Sequence, residues 1–170
     1  MAGGEMTHKI ITVTPKNKHI LPYLNTTVTF EKSFGEIQGL LMKFGCSDLI
    51  TRQTPSMVPG TKLACTHYMI GFVQKGNHFL IEFPIFIVPV GRHNDKEVRM
   101  NVSGRIMLNK IKALLVDVEM EFLSFEQAMM PFQLIAGRDG QPVTIQDYVD
   151  ENRDTIASGK NVFMLGDGKS

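Results

Sequence analysis

Between Arg92 and Lys112 the chain places six bases, Arg92, Lys96, Arg99, Arg105, Lys110 and Lys112, against two acids, Asp95 and Glu97. Cations gathered at the start of a helix suit phosphate above other ligands, because the free backbone N–H groups there already favour an anion. Arg92, Lys96, Arg99 and Arg105 are therefore the candidate contacts to a nucleic-acid backbone, holding phosphates without reading bases. The plainer reading is a solvated face, with bases paired to acids elsewhere or snorkelling off buried apolar surface.

No other group of residues carries as much. His67 and His78 fall on the outer face of a hairpin, well apart along its ladder, and read as solvated strand histidines rather than metal ligands. The closing "GDGKS" ends like a phosphate-binding loop, but Phe163 stands where the earlier glycine belongs and no helix follows. No serine, cysteine or aspartate has a nucleophile's context, and no carboxylate pair is spaced for acid–base work. The expectation is a non-enzymatic protein with no catalytic residue, metal ligand or cofactor. Cys46 and Cys65 show no CxxC spacing and read as two buried, reduced thiols in a cytoplasmic protein. The start lacks a signal peptide's apolar region, and no apolar run could span a bilayer, so no membrane association is expected. A net charge of +1 argues against nucleic-acid binding through overall charge and leaves only a local patch.

These residues need a scaffold. With 170 residues, 43% of them hydrophobic, the chain suits one domain, 1–170, with residues 1–8 and about 157–170 as flexible tails. Lys9–Thr14 and the alternating Thr26–Glu31 read as strands, with the turn-like "PKNKHILP" between them. In "SFGEIQGLLMKFGC" Ser33 and Glu36 form a capping box, apolar residues follow at helical spacing, and Gly45 sits at a left-handed C-cap. "CSDLITRQ" is a further strand and "TPSMVPGTK" a loop. "KGN" then turns a hairpin whose core face carries Tyr68, Ile70, Phe72, Phe79, Ile81 and Phe83.

A helix over Glu97–Phe122 follows. Ser124 with Gln127 caps a short helix that Pro131 ends, "GRDGQP" turns the chain, and Thr144–Asp147 opens a last helix to about Asn152. The order ββαβββααα predicts an α+β fold: an antiparallel-rich sheet of about four to five strands with the long helix packed on one face.

The long helix is apolar on two sides. Met100, Gly104, Met107, Leu108, Ile111, Leu114, Leu115, Val118 and Phe122 make one face, while Val98, Val102, Ile106, Ala113, Val116 and Met120 make a second stripe. A helix buried on one side by a sheet needs something for the other. Val98, Val102, Ile106, Val116 and Met120 are thus the candidate interface to a partner or to a second copy of the chain. Eleven methionines read mainly as core filler, with partner binding as the alternative.

The run "SFGEIQGLLMKFGC … GRIMLNKIKALLVDVEMEFLSFEQAMMPF … DGQPVTIQDYV" is similar to a group of small phage, plasmid and bacterial proteins. These have a GEI-type helix ending in glycine, then strands, a long helix carrying an arginine, and an FLPY-like segment before G-x-T-L. Gly35–Glu36–Ile37, Gly45, Arg105, Met130–Pro131–Phe132 and Thr144–Ile145 occupy the matching places, over most of residues 26–150. The chain departs from the group at the long helix, with Gly104 and Lys110 where aromatic residues are usual. What the resemblance implies is a mobile-element setting without a mechanism. Two functions follow as expectations. One is a phage or mobile-element protein that binds DNA or RNA through the basic helix start. The other is an interaction module, such as a phage factor inhibiting or adapting a host defence complex, working through the apolar helix face with a host or phage protein.

Overall fold

The structure is a computed structural model that describes residues 9–91 and 95–158. It is α+β, with antiparallel strands and several helices. Strand β1 (Ile10–Thr12) leads through a turned segment to helix α1 (Phe30–Lys43), followed by β2 (Ser47–Met57), β3 (Ala64–Gln74), β4 (Asn77–Glu82), β5 (Ile85–Val90) and β6 (Asp95–Val98). Helix α2 (Met100–Glu119) is the long one. After it come α3 (Phe125–Met129), a 3-10 turn at Met130–Phe132, the short strands β7 (Leu134–Ala136) and β8 (Pro142–Thr144), α4 (Ile145–Glu151) and α5 (Arg153–Ala157).

The sequence pattern anticipates one sheet; the chain builds two of three strands and a small hairpin. One sheet runs β2-β3-β4, wholly antiparallel. The other runs β1-β5-β6, with β1 parallel to β5. What separates them is the break at Phe83–Pro84, which splits the expected strand "HFLIEFPIF" into β4 and β5 and sends the halves to different sheets. The β3–β4 turn holds Lys75 and Gly76 at φ 48° and 79°, the pair of positive values a tight hairpin turn of matching twist requires. Phe72 then lies opposite Phe79, their rings stacked 5.1 Å apart. Ile70, Phe72, Phe79, Ile81 and Phe83 are all buried in the main core, with Tyr68 packed against it, as the alternation predicts. α1 and α2 cover this face.

Three local readings change. Thr26–Glu31 is not a strand. The Thr26 hydroxyl takes the Val28 N–H, Thr29 is the N-cap of α1 with its hydroxyl accepting the Lys32 N–H at 3.3 Å, and the Asn101 side chain accepts the N–H of Phe30. Local side-chain bonds here outcompete the extended backbone that the β-branched residues suggest. Ser33 is consequently inside the helix and fully buried, and Glu36 faces Lys112 instead of capping. Residues Thr54–Met57 belong to β2 rather than a loop, and Glu97 and Val98 join Asp95 and Lys96 in β6, where Val98 pairs with Ile87, rather than opening the long helix.

The other punctuation stands. Gly45 has φ +79°, its N–H bonded to Met42 and that of Cys46 to Leu41, a Schellman close to α1. The Ser124–Gln127 capping box is complete, and Thr144 caps α4 through the Asp147 N–H. Cys46 and Cys65 are buried and free. The expected terminal tails and the "GDGKS" run lie outside the described residues, apart from Ala157 and Ser158.

α1 and α2 run side by side in parallel: Gly104 meets Phe30 and Ser33, Lys112 meets Glu36, and Glu119 meets Lys43. On its other flank the first half of α2 is covered by the second sheet and the turned segment. Val102 is buried with Val13, Phe86 and Val88, and Ile106, Leu21 and Leu24 pack against them. This is the second layer the two-faced helix calls for, and the chain supplies it itself.

Candidate nucleic-acid interface

The segment between β1 and α1 positions the site. Its first turn is tied by the Thr14 N–H to Asn17 Oδ1 at 2.7 Å and by Asn17 Nδ2 to the Thr12 carbonyl at 3.0 Å. Leu21 and Leu24 anchor its middle in the apolar cluster against α2, and Tyr23 sits between them in the left-handed region at φ 65°. A non-glycine residue in that conformation is uncommon, and here it turns the phenol ring out over α2. Lys16, Lys18 and His19 stand exposed on the same segment.

Arg105, half-buried on α2, lays its guanidinium over the Tyr23 ring, 5.8 Å from the centroid. It makes no ion pair among the described residues; the nearby Glu36 carboxylate, held by Lys112, feels its charge only as a minor influence. The two side chains form a wall of an open depression of about 550 Å³ that Lys18, Leu21, Asn25 and Val28 also line. A cation held on an aromatic face beside a free lysine can take a phosphate on its charged side and offer the ring to a base.

The other candidate bases are placed differently. Arg99 is the N-cap residue of α2, and its guanidinium is spent within the chain, on the Glu97 carboxylate and, at 3.0 Å, on the Leu24 carbonyl. It pins the turned segment to the start of α2 and so positions Tyr23. Lys96 is exposed on β6, outside the depression. Arg92 and the neighbouring His93 lie outside the described residues. Lys110 stands 5.0 Å over the Phe132 ring and burial lowers its pKa, so it is an apolar-face lysine; Lys112 is paired with Glu36 at 3.1 Å. Lys16, Lys18 and Tyr23 were not singled out by sequence, where "PKNKHILP" reads only as a turn. Bases two residues apart, five short of a tyrosine, were the available signal.

The candidate interface divides as well. Val98 is half-buried against the cluster of Val58, Cys65, Ile85 and Ile87, and Val102 and Ile106 are covered as described. Val116 and Met120 remain exposed.

Two further features differ from expectation. His67 is buried, which lowers its pKa, rather than solvated. Glu82 on β4 and Asp147 on α4, which nothing in the sequence pairs, line one depression of about 500 Å³ with Arg138, Asp139, Tyr148 and Glu151. Burial first, and Asp147 second, raise the Glu82 pKa. The amide and one carboxylate oxygen of Asp147 are engaged with Thr144. Among the described residues no three His, Cys, Asp or Glu side chains could hold a metal ion. No described helix is long and apolar enough to cross a membrane.

In comparisons with protein-family models, curated proteins and solved structures, nothing matches this chain. The likeness to small phage and plasmid proteins therefore rests on the residues quoted for it.

Proposed function

We propose that this is a non-enzymatic phage or mobile-element protein that binds the backbone of single-stranded nucleic acid at the Tyr23–Arg105 surface. The observation that carries the reading is the Arg105 guanidinium, in no ion pair among the described residues, layered on an exposed tyrosine beside Lys18. Single-strand binders combine a basic groove with aromatic platforms because every base has a π-face to stack. Lys16, Lys18 and Arg105 serve as phosphate contacts and Lys96 as an outlying one. Arg99 acts as the residue that holds the site in shape.

Fluorescence anisotropy with labelled, mixed-sequence single- and double-stranded oligonucleotides over a salt series tests it. Binding should favour single strands and weaken linearly in log salt. Lys18→Glu with Arg105→Glu should abolish it at low salt. Tyr23→Ala should erase the preference for single strands, since stacking is worth about 1–3 kcal/mol per base. Absence of binding by the wild type at low salt, or indifference to the double charge reversal, overturns the reading.

A further inference from the structure

The two ends of α2 are unlike in charge, and each carries apolar side chains that nothing in the described chain covers. At the C-terminal end Val116, Met120 and Phe122 are 53%, 60% and 73% exposed, among Asp117, Glu119, Glu121 and Glu126, which outnumber Lys43, paired with Glu119, and Lys75. Glu121 is left-handed at φ 58° and turns the chain so that Phe122 and Leu123 border an open depression of about 480 Å³. Gln74 lines that depression too; it is buried, and its Oε1 has no hydrogen-bond partner among the described residues. At the basic end Ile20 is 69% and Tyr23 41% exposed, among Lys16, Lys18 and Arg105.

We propose that copies of this protein associate head to tail, the acidic, apolar end of α2 in one copy docking on the Lys16–Tyr23 surface of the next. Charge decides the occupant. A two-fold contact between acidic ends would bring Asp117, Glu119 and Glu121 against their own copies, where like charges repel. The basic end offers the opposite sign with an isoleucine and a tyrosine to meet Val116, Met120 and Phe122.

Arg105 and Met120 are fifteen residues apart along α2, about 22 Å on its axis, so one copy cannot bring its own two surfaces together. Such a contact is heterologous and continues into an open chain or a ring. The inference goes beyond the nucleic-acid reading, although both use the basic end and the two ligands would compete for it.

Sedimentation velocity on the full chain, free of nucleic acid, tests it. At low salt the mean mass should rise with concentration, and at about 0.5 M salt, where the screening length is only a few ångström, the protein should become monomeric. Lys16→Glu with Lys18→Glu, and separately Glu119→Lys with Glu121→Lys, should each stay monomeric. Mixed in equal amounts, the two variants should associate again, because each surface then meets its opposite. Circular dichroism identifies either variant that fails to fold, and Val116→Ser with Met120→Gln then gives the same loss through the apolar part of the contact, with no change of charge. A wild type monomeric at every concentration in low salt, or a mixture that remains monomeric while both variants are folded, overturns the proposal. Oligonucleotide binding is read on Glu119→Lys with Glu121→Lys, which should retain it, so failure of either reading leaves the other standing.

Discussion

Gly104 is where α1 and α2 come closest, and its replacement by alanine measures that contact. A Cβ there would lie 3.0 Å from Phe30 Cδ2, 3.2 Å from Ser33 Cβ and 3.4 Å from the Phe30 Cα. The Phe30 ring cannot retreat: it is buried against Tyr68 at 4.2 Å and Phe83 at 5.2 Å, with Phe34 at 5.4 Å. The helices must therefore separate by a few tenths of an ångström along a packed seam. Overpacking of this kind costs about 1–3 kcal/mol. Alanine returns about 1 kcal/mol of helix propensity. The expected net is a loss of roughly 1 kcal/mol, or about 2–4 °C in Tm for a chain of this size. Gly39 supplies the control, since it lies within α1 with nothing inside 4 Å of its would-be Cβ. Gly39→Ala should gain about 0.5–1 kcal/mol from propensity alone. Urea unfolding followed by circular dichroism gives both numbers from the midpoints, provided the slopes agree. Should Gly104→Ala stabilise as much as Gly39→Ala, the close approach of the two helices is wrong.

Thr29→Ala should cost about 1 kcal/mol in the same assay through loss of the N-cap. Ser33→Ala should cost nothing or stabilise, because the buried Ser33 hydroxyl has no partner; the opposite ranking would restore Ser33 as the cap. Burial pushes the Cys46 thiol up to about 11, so at pH 8 about one molecule in a thousand carries the thiolate. Ellman's reagent should accordingly label neither cysteine in the native protein and both in urea; fast native labelling would contradict their burial. The Glu82 carboxyl is held above its ordinary value, so the folded state binds that proton more tightly than the unfolded state does. Its stabilising contribution is complete below about pH 4.5 and is lost as pH rises through the raised folded pKa. Glu82→Gln removes that dependence, so its urea midpoint should gain on the wild type's between pH 4 and 7. A constant difference would refute the shift.

What could be read in advance was the short-range chemistry. The Ser124 and Thr144 caps, the Gly45 close and the hairpin at Lys75–Gly76 each depend on residues within a few positions of one another. Failures came where a distant group decided the outcome. The start of α1 is set partly by Asn101, 71 residues away, which takes the Phe30 N–H. The split into two sheets depends on β1 lying parallel to β5, a pairing no local pattern encodes. The site shows the same division. Arg105 was identifiable as a helical base, but the tyrosine beneath it arrives on a turn held by Arg99 across 75 residues to Leu24. Arg99 was chosen for its charge, yet that charge is consumed in building the turn.

The order of charges along α2 illustrates how a parallel neighbour changes a local rule. Bases early and acids late oppose the helix dipole, and α2 has no acid in its first turn and no base in its last. The dipole acts within about a turn of each end, so Lys112 in the middle is hardly affected, and α1 answers it with Glu36 at 3.1 Å. Near the C-terminal end Glu119 lies 3.9 Å from Lys43, which is itself in the favoured last turn of α1. Both pairs are exposed and screened by solvent, so they moderate the gradient without selecting it for stability. Asp117, Glu121, Lys18 and Arg105 take part in no ion pair among the described residues, although Glu36 feels the charge of Arg105. Stability alone would favour the reverse order on such a helix. The charges outside those pairs sit where apolar surface is also uncovered, and it is this coincidence, not stability, that the proposed head-to-tail contact would account for.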